Sequence, residues 1–157
     1  MQILHASKSD VGMKRDNNED NLLVFPEQNL FAVFDGMGGH AAGEVASAIA
    51  ASEVKEFFDF TGKDEEATWP FKGEREKTYD ENRAVTAIKL ANARIIEQSE
   101  QDGSDGLSGM ITDEAMQGIM QKQGKDLDAA AKKLIDTANA NGGADNVTVI
   151  LAQYQPG

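Results

Sequence analysis

The chain has 157 residues, 40% hydrophobic and 27% charged, which suits one domain with a real core and makes no case for two. Its 27 acids against 15 bases give a net charge of −12, and such a surface repels nucleic acid and anionic membrane. The absence of cysteine excludes disulfides, thiolate chemistry and zinc–sulfur sites.

The N-terminus, Met1-Gln2-Ile3-Leu4-His5, lacks the basic-then-apolar layout of a secretion signal. No window approaches the roughly 18 uninterrupted apolar residues of a membrane helix. The expected location is the cytoplasm. Residues 4–11 are a weak strand candidate ending at Gly12. Two apolar runs, 21–25 and 30–34, flank the turn-rich Pro26-Glu27-Gln28-Asn29 and read as an antiparallel hairpin. A glycine-rich break, Asp35-Gly36-Met37-Gly38-Gly39, precedes a helix expected over 41–58, with Val45, Ala46, Ile49, Ala50, Val54 and Phe57 along one stripe.

Residues 61–80 are charged, with two glycines and a proline, and read as a surface excursion. A second helix is expected over 81–99, with Val85, Ile88, Ala91 and Ile95 at helical spacing. Thr112, followed by Asp113 and Glu114, can cap a short helix ending near Gly124. Asp126 can cap the last helix, whose stripe is Leu127, Ala130, Ala131, Leu134, Ile135 and Ala138, and which Asn141-Gly142-Gly143 stops. Residues 147–154 form the most convincing strand, apolar on both faces and therefore expected at a sheet centre. Strands at both ends with helices between them suggest an α+β domain.

Acidic residues recur in one local setting, at a strand end or loop beside glycine or asparagine: Asn18-Glu19-Asp20-Asn21, Asp35-Gly36, Ser104-Asp105-Gly106 and Ala144-Asp145-Asn146. A carboxylate where a strand emerges is held by stiff backbone, and neighbouring glycine lets a ligand approach the main chain. Gathered carboxylates repel one another unless a cation neutralises them, and oxygen ligands favour hard ions such as magnesium, manganese or calcium. Taken singly, such pairs are mostly turns. Asp35 to Gly39 could instead be a phosphate loop, but it lacks the lysine of a P-loop and the spacing of a dinucleotide fingerprint.

The ordered set is more specific. Ser9-Asp10-Val11-Gly12-Met13-Lys14-Arg15-Asp16-Asn17-Asn18-Glu19-Asp20 resembles the opening motif of bacterial PPM (PP2C-like) protein serine/threonine phosphatases. Leu30-Phe31-Ala32-Val33-Phe34-Asp35-Gly36-Met37-Gly38-Gly39-His40, with Ala42-Gly43-Glu44, resembles their second motif. Ser104-Asp105-Gly106-Leu107-Ser108 and Gly142-Gly143-Ala144-Asp145-Asn146-Val147-Thr148 resemble the later two. The resemblance implies a single domain over 1–157, a reduced PP2C-like β-sandwich of antiparallel sheets flanked by helices. It implies hydrolysis of phosphoserine and phosphothreonine in phosphorylated proteins by water activated on two ions, Mn2+ or Mg2+. Asp35 would bridge the ions, with the Gly36 carbonyl as a further ligand. Asp105 and Asp145 would complete one ion site, and Glu19 and Asp20 would serve the other. Arg15 would grip the substrate phosphate. His40 stays open between an acid for the leaving group, a phosphate contact and a structural role at the helix start.

The resemblance also shows a departure. Family members carry a long central portion where this chain has only Glu100-Gln101-Asp102-Gly103. A sheet stripped of central strands exposes apolar faces and unpaired edges, which predicts self-association. It also sets up the rival reading, a non-catalytic domain that binds metal or a phosphoprotein without turnover.

Overall fold

The computed structural model describes residues 2–37, 41–64, 66–102 and 126–155. Among them no helix is long and apolar enough to cross a membrane. Strands β1 (Gln2–Asp10), β2 (Asn21–Phe25), β3 (Leu30–Phe34) and β4 (Val147–Gln155) form two antiparallel two-stranded sheets, β1 with β4 and β2 with β3. Helices α1 (Ala41–Lys63) and α2 (Tyr79–Asp102) lie against each other, and α1 covers the β2–β3 sheet. Helix α3 (Leu127–Ala140) covers the β1–β4 sheet. The two sheets meet where β3 lies against β4, so helices flank a pair of facing sheets in an α+β arrangement.

Local chemistry accounts for each element. The β2–β3 hairpin turns through one 3-10 turn, Pro26–Gln28, and closes at Asn29, whose φ of 51° is left-handed and whose N–H donates to the Pro26 carbonyl. In α1, Ala50, Val54, Phe57 and Phe58 are buried at helical spacing, and they meet Leu23 of β2 with Ala87 and Ala91 of α2. Helix α2 opens with a reciprocal cap: Thr78 N–H donates to Glu81 Oε2 at 2.7 Å, and Glu81 N–H to Thr78 Oγ1 at 3.3 Å. Asp126 caps α3 by accepting from Ala129 N–H at 2.9 Å. The stripe named from sequence, Leu127 to Ala138, is buried throughout.

The described segments hold two apolar clusters. One lies between α1, α2 and the hairpin; the other is Ala6, Leu127 and Ala131, with Leu4, Val149 and Leu151 packed on it. Register explains the second: Ala6 stands opposite Leu151 and Lys8 opposite Val149, so alternate residues of both strands share the α3 side. Their neighbours turn toward the other sheet, where the His5 and Phe31 rings meet at 5.8 Å. That inter-sheet side is incompletely covered, with Val33 at 44% exposure and Tyr154 at 60%.

Three sequence expectations need correction. Val45 and Ile88, expected in the apolar patterns of α1 and α2, are exposed. Strand β4 is apolar on both faces because it lies between α3 and β3; among the described residues it pairs with β1 alone, so it is not central in its sheet. The stretch 61–80 is only partly a surface excursion. Helix α1 continues to Lys63, with Thr61 buried and donating to the Phe57 carbonyl at 2.7 Å. Trp69 stacks edge-on against Phe57 at 5.7 Å and meets Tyr79 at 5.2 Å. Buried Arg83 ties these parts together, donating to Thr61 Oγ1, Gln28 Oε1 and the Phe58 carbonyl, with its guanidinium 4.4 Å over the Phe58 ring. The helix expected over 112–124 lies outside the described residues.

Asp10 closes β1. Its Oδ1 accepts from Asn139 Nδ2 and from Gly12 N–H, each at 2.9 Å, and these bonds hold its carboxyl below the ordinary value of 3.8. A carboxyl depressed by folding adds stability above its unfolded value, and that stability is lost as pH falls through the folded value. Asn139→Ala should therefore lower the urea midpoint at neutral pH and flatten its decline below about pH 4. A midpoint-against-pH profile parallel to the wild type would show that the bond contributes nothing.

Candidate metal centre

The site forms where β1 ends, β3 ends and β4 begins. Gly12 takes a φ of +82°, and a Cβ there would collide with the Asp145 carbonyl. Met13 N–H donates to the Gly143 carbonyl at 2.9 Å, so the loop after β1 is bound to the loop before β4. Asn146 completes the attachment. Its Oδ1 accepts from Glu19 N–H at 2.7 Å, while its Nδ2 donates to the Val11 carbonyl at 2.9 Å and the Asn17 carbonyl at 2.8 Å. One amide thus pins three points of the segment that carries Arg15 and Asp20.

Of the residues named from sequence, Arg15, Asp20, Asp35 and Asp145 come together. Arg15 Nη2 donates to Asp145 Oδ2 at 2.8 Å, both side chains being about half exposed, and Asn146 N–H donates to Asp145 Oδ1 at 2.9 Å. Burial pushes the Asp20 carboxyl up; the bond from Thr148 opposes this and the charge of Asp145 adds to it. The Asp35 carboxyl is also raised, first by burial and then by the charges of Asp20 and Asp145, with Arg15 acting the other way. Burial and neighbouring negative charge thus act in the same direction on Asp20 and Asp35, which come from different chain segments.

Glu19 and Gly36 both pack against the first turn of α1. Glu19 is buried, and its carboxylate fills the space a side chain at Gly43 would need, in the first turn of α1, where the helix dipole favours an anion. Its carbonyl accepts from Ser47 Oγ at 2.6 Å. Gly36 is wedged against the carbonyls of Glu19 and Gly43, which leaves no room for a Cβ. Asp105 and His40 lie outside the described residues.

The donor chemistry suits a hard divalent cation: the side-chain donors of Asp20, Asp35 and Asp145 are all carboxylate oxygens, whose repulsion a cation would relieve. Among the described residues no three acidic or imidazole side chains close around a single point. The partial set is Asp20, Asp35 and Asp145, with Arg15 already offsetting Asp145.

Sequence motifs contained Ser9, Asn18, Asn146 and Thr148 but gave them no role. Their bonds depend on the β1–β4 register and on the path of the loop from Val11 to Glu19. The legible signal was their place within motifs already suspected of chemistry.

No family model matches the chain. The chain is 47% identical over 57 residues to the serine/threonine protein phosphatase PstP of Mycobacterium tuberculosis, a match covering 36% of this chain and 11% of that protein. It is 35% identical over 82 residues to a putative protein phosphatase 2C-type of Streptococcus pyogenes, covering 46% of this chain and 33% of that one. The matches thus span a third or less of these relatives' length. Among solved structures, M. tuberculosis PstP/Ppp superposes with a TM-score of 0.74 at 18% identity, over 98% of this chain and 99% of that one. The catalytic domain of PstP in complex with two manganese ions gives 0.70 at 21% identity, over 96% and 97%. Over nearly all of its length the chain shares the fold of solved serine/threonine phosphatases, and over about a third of it the chain resembles such phosphatases in sequence.

Proposed function

We propose that the chain is a shortened PPM-type phosphatase, one domain over 1–157, that hydrolyses phosphoserine and phosphothreonine in proteins. The observation that carries this reading is that Arg15 bonds Asp145 at 2.8 Å while Asp20, at the end of the loop that Asn146 pins, is bonded to Thr148 of β4, and the Asp35 carboxyl is held up in part by the charges of both acids. Asp20, Asp35 and Asp145 would hold two Mn2+ or Mg2+ ions, with Glu19, Gly36 and Asp105 as the further expected ligands. When bound, such ions supply Lewis acidity toward a phosphate ester and lower the pKa of water. Arg15, whose planar fork suits two phosphate oxygens, would leave Asp145 to hold the substrate. The relatives' names support the substrate class, and the manganese in one neighbour supports the choice of ion.

The test is a manganese titration of the metal-free protein, read by heat and by release of p-nitrophenol from p-nitrophenyl phosphate. Saturable binding with manganese-dependent release is the expected result. Arg15→Lys should raise KM by about tenfold, because a point charge replaces a two-pronged grip, while changing kcat less. Binding without turnover would favour the non-catalytic reading. No binding at all would leave the carboxylates as a relic.

A further inference from the structure

Asp20 sits in a closed ring of hydrogen bonds whose other members none of the expected roles uses. Asp20 N–H donates to Asn18 Oδ1 at 3.1 Å, and Asn18 Nδ2 donates to Ser9 Oγ at 2.6 Å. Ser9 Oγ and Thr148 Oγ1 are 2.7 Å apart, and Thr148 Oγ1 donates to Asp20 Oδ2 at 2.5 Å. The direction of the middle bond follows from its ends. An ionised carboxylate only accepts, so the single Thr148 hydrogen points at Asp20. The Thr148 oxygen must then accept from Ser9, whose own oxygen is free to accept the Asn18 amide.

Such a one-way chain polarises each bond in the next and delivers its strongest donor to the carboxylate. It is also anchored in the sheet. Ser9 and Thr148 are direct cross-strand partners, one pair in from the end of the β1–β4 ladder, so their hydroxyls share a face and are fixed by register.

We infer that Thr148 is a positioning residue for metal binding: its hydroxyl, oriented by Ser9 and Asn18, fixes the rotamer of Asp20 and leaves Oδ1 as the oxygen free to take a cation. This rests on the reading that Asp20 is a metal ligand. The bland alternative is that Thr148 is a β-branched strand residue that only helps β1 and β4 pair.

The two roles rank substitutions in opposite orders. Valine keeps the shape and strand preference of threonine but has no hydroxyl; serine keeps the hydroxyl and loses strand preference. Manganese binding would be followed by calorimetry on metal-free wild type, Thr148→Val and Thr148→Ser, with thermal midpoints alongside. Thr148→Val should bind manganese about 10- to 100-fold more weakly, the usual penalty for removing a partner that orients a ligand, with a midpoint close to wild type. Thr148→Ser should stay within about threefold of wild type, as one retained hydroxyl keeps the ring intact. Wild-type affinity in Thr148→Val, or equal loss in both variants, would overturn the inference and leave the proposed function standing. A wild type that takes up no manganese would overturn both. Binding without phosphatase activity would sink only the hydrolase reading.

Discussion

Asp35→Asn should remove manganese-dependent phosphatase activity and, in the same protein, raise the thermal midpoint of the metal-free form. Both effects have one cause. Asp35 stands at the end of β3, partly desolvated and facing the charges of Asp20 and Asp145, so its carboxyl is held above its ordinary value. A carboxyl raised by folding contributes stability while it is protonated, and loses that contribution as pH rises through its folded value. At neutral pH the metal-free fold therefore carries the repulsion. Asparagine keeps the shape and removes the charge, so the midpoint should rise by roughly 1–3 °C, the scale of a relieved, partly exposed charge in a chain of this size. Activity should fall by on the order of a hundredfold or more, since even partners that merely orient a metal ligand are worth 10- to 100-fold. Manganese-dependent release of p-nitrophenol from p-nitrophenyl phosphate and a thermal melt of the metal-free sample test the two halves, with calorimetry following manganese binding. A variant less stable than wild type that still binds manganese would mean that Asp35 is structural and that the centre has been misassigned.

How far the sequence carried this site depended on the kind of contact involved. The hairpin strands 21–25 and 30–34 and the stripe of α3 were legible to the residue, because alternation, a Pro-containing turn and a capped helical period are all local. The reach of α1 to Lys63 was not, because the packing of Phe58 and Thr61 depends on Arg83 arriving from α2. Trp69 was lost in a polar stretch for the same reason: what draws it in is the Phe57 and Tyr79 rings, from two other elements. At the site, the motifs picked out Arg15, Asp20, Asp35 and Asp145 without revealing which atoms face one another. They could not tell that adjacent Glu19 and Asp20 diverge, one carboxylate against Gly43 of α1 and the other against Thr148 of β4. The Arg15–Asp145 pair was equally hidden, since it joins residues 130 positions apart.

One position that should be costly to change carries no functional group at all. Gly12 makes the turn by which the chain leaves β1, and Gly12→Ala meets two separate penalties. Its φ of +82° lies where an L side chain is strained, and the new Cβ would be driven into the Asp145 carbonyl, which is backbone and cannot swing aside. The collision pushes apart the two loops that Met13 and Asn146 bind together, the ones carrying Arg15 and Asp145. A loss of about 2 kcal/mol or more is expected, a drop in Tm of roughly 5–10 °C. Manganese affinity should fall with it, because Asp145 moves relative to Asp35. Gly142→Ala separates the two penalties: Gly142 has a φ of +120° but nothing within 4 Å of where a Cβ would stand, so it tests backbone strain without a collision. Its cost should be near 1 kcal/mol, with manganese binding close to wild type. Equal effects of the two substitutions on both stability and binding would mean that strain alone sets the cost, and that the Gly12–Asp145 contact does not position the centre.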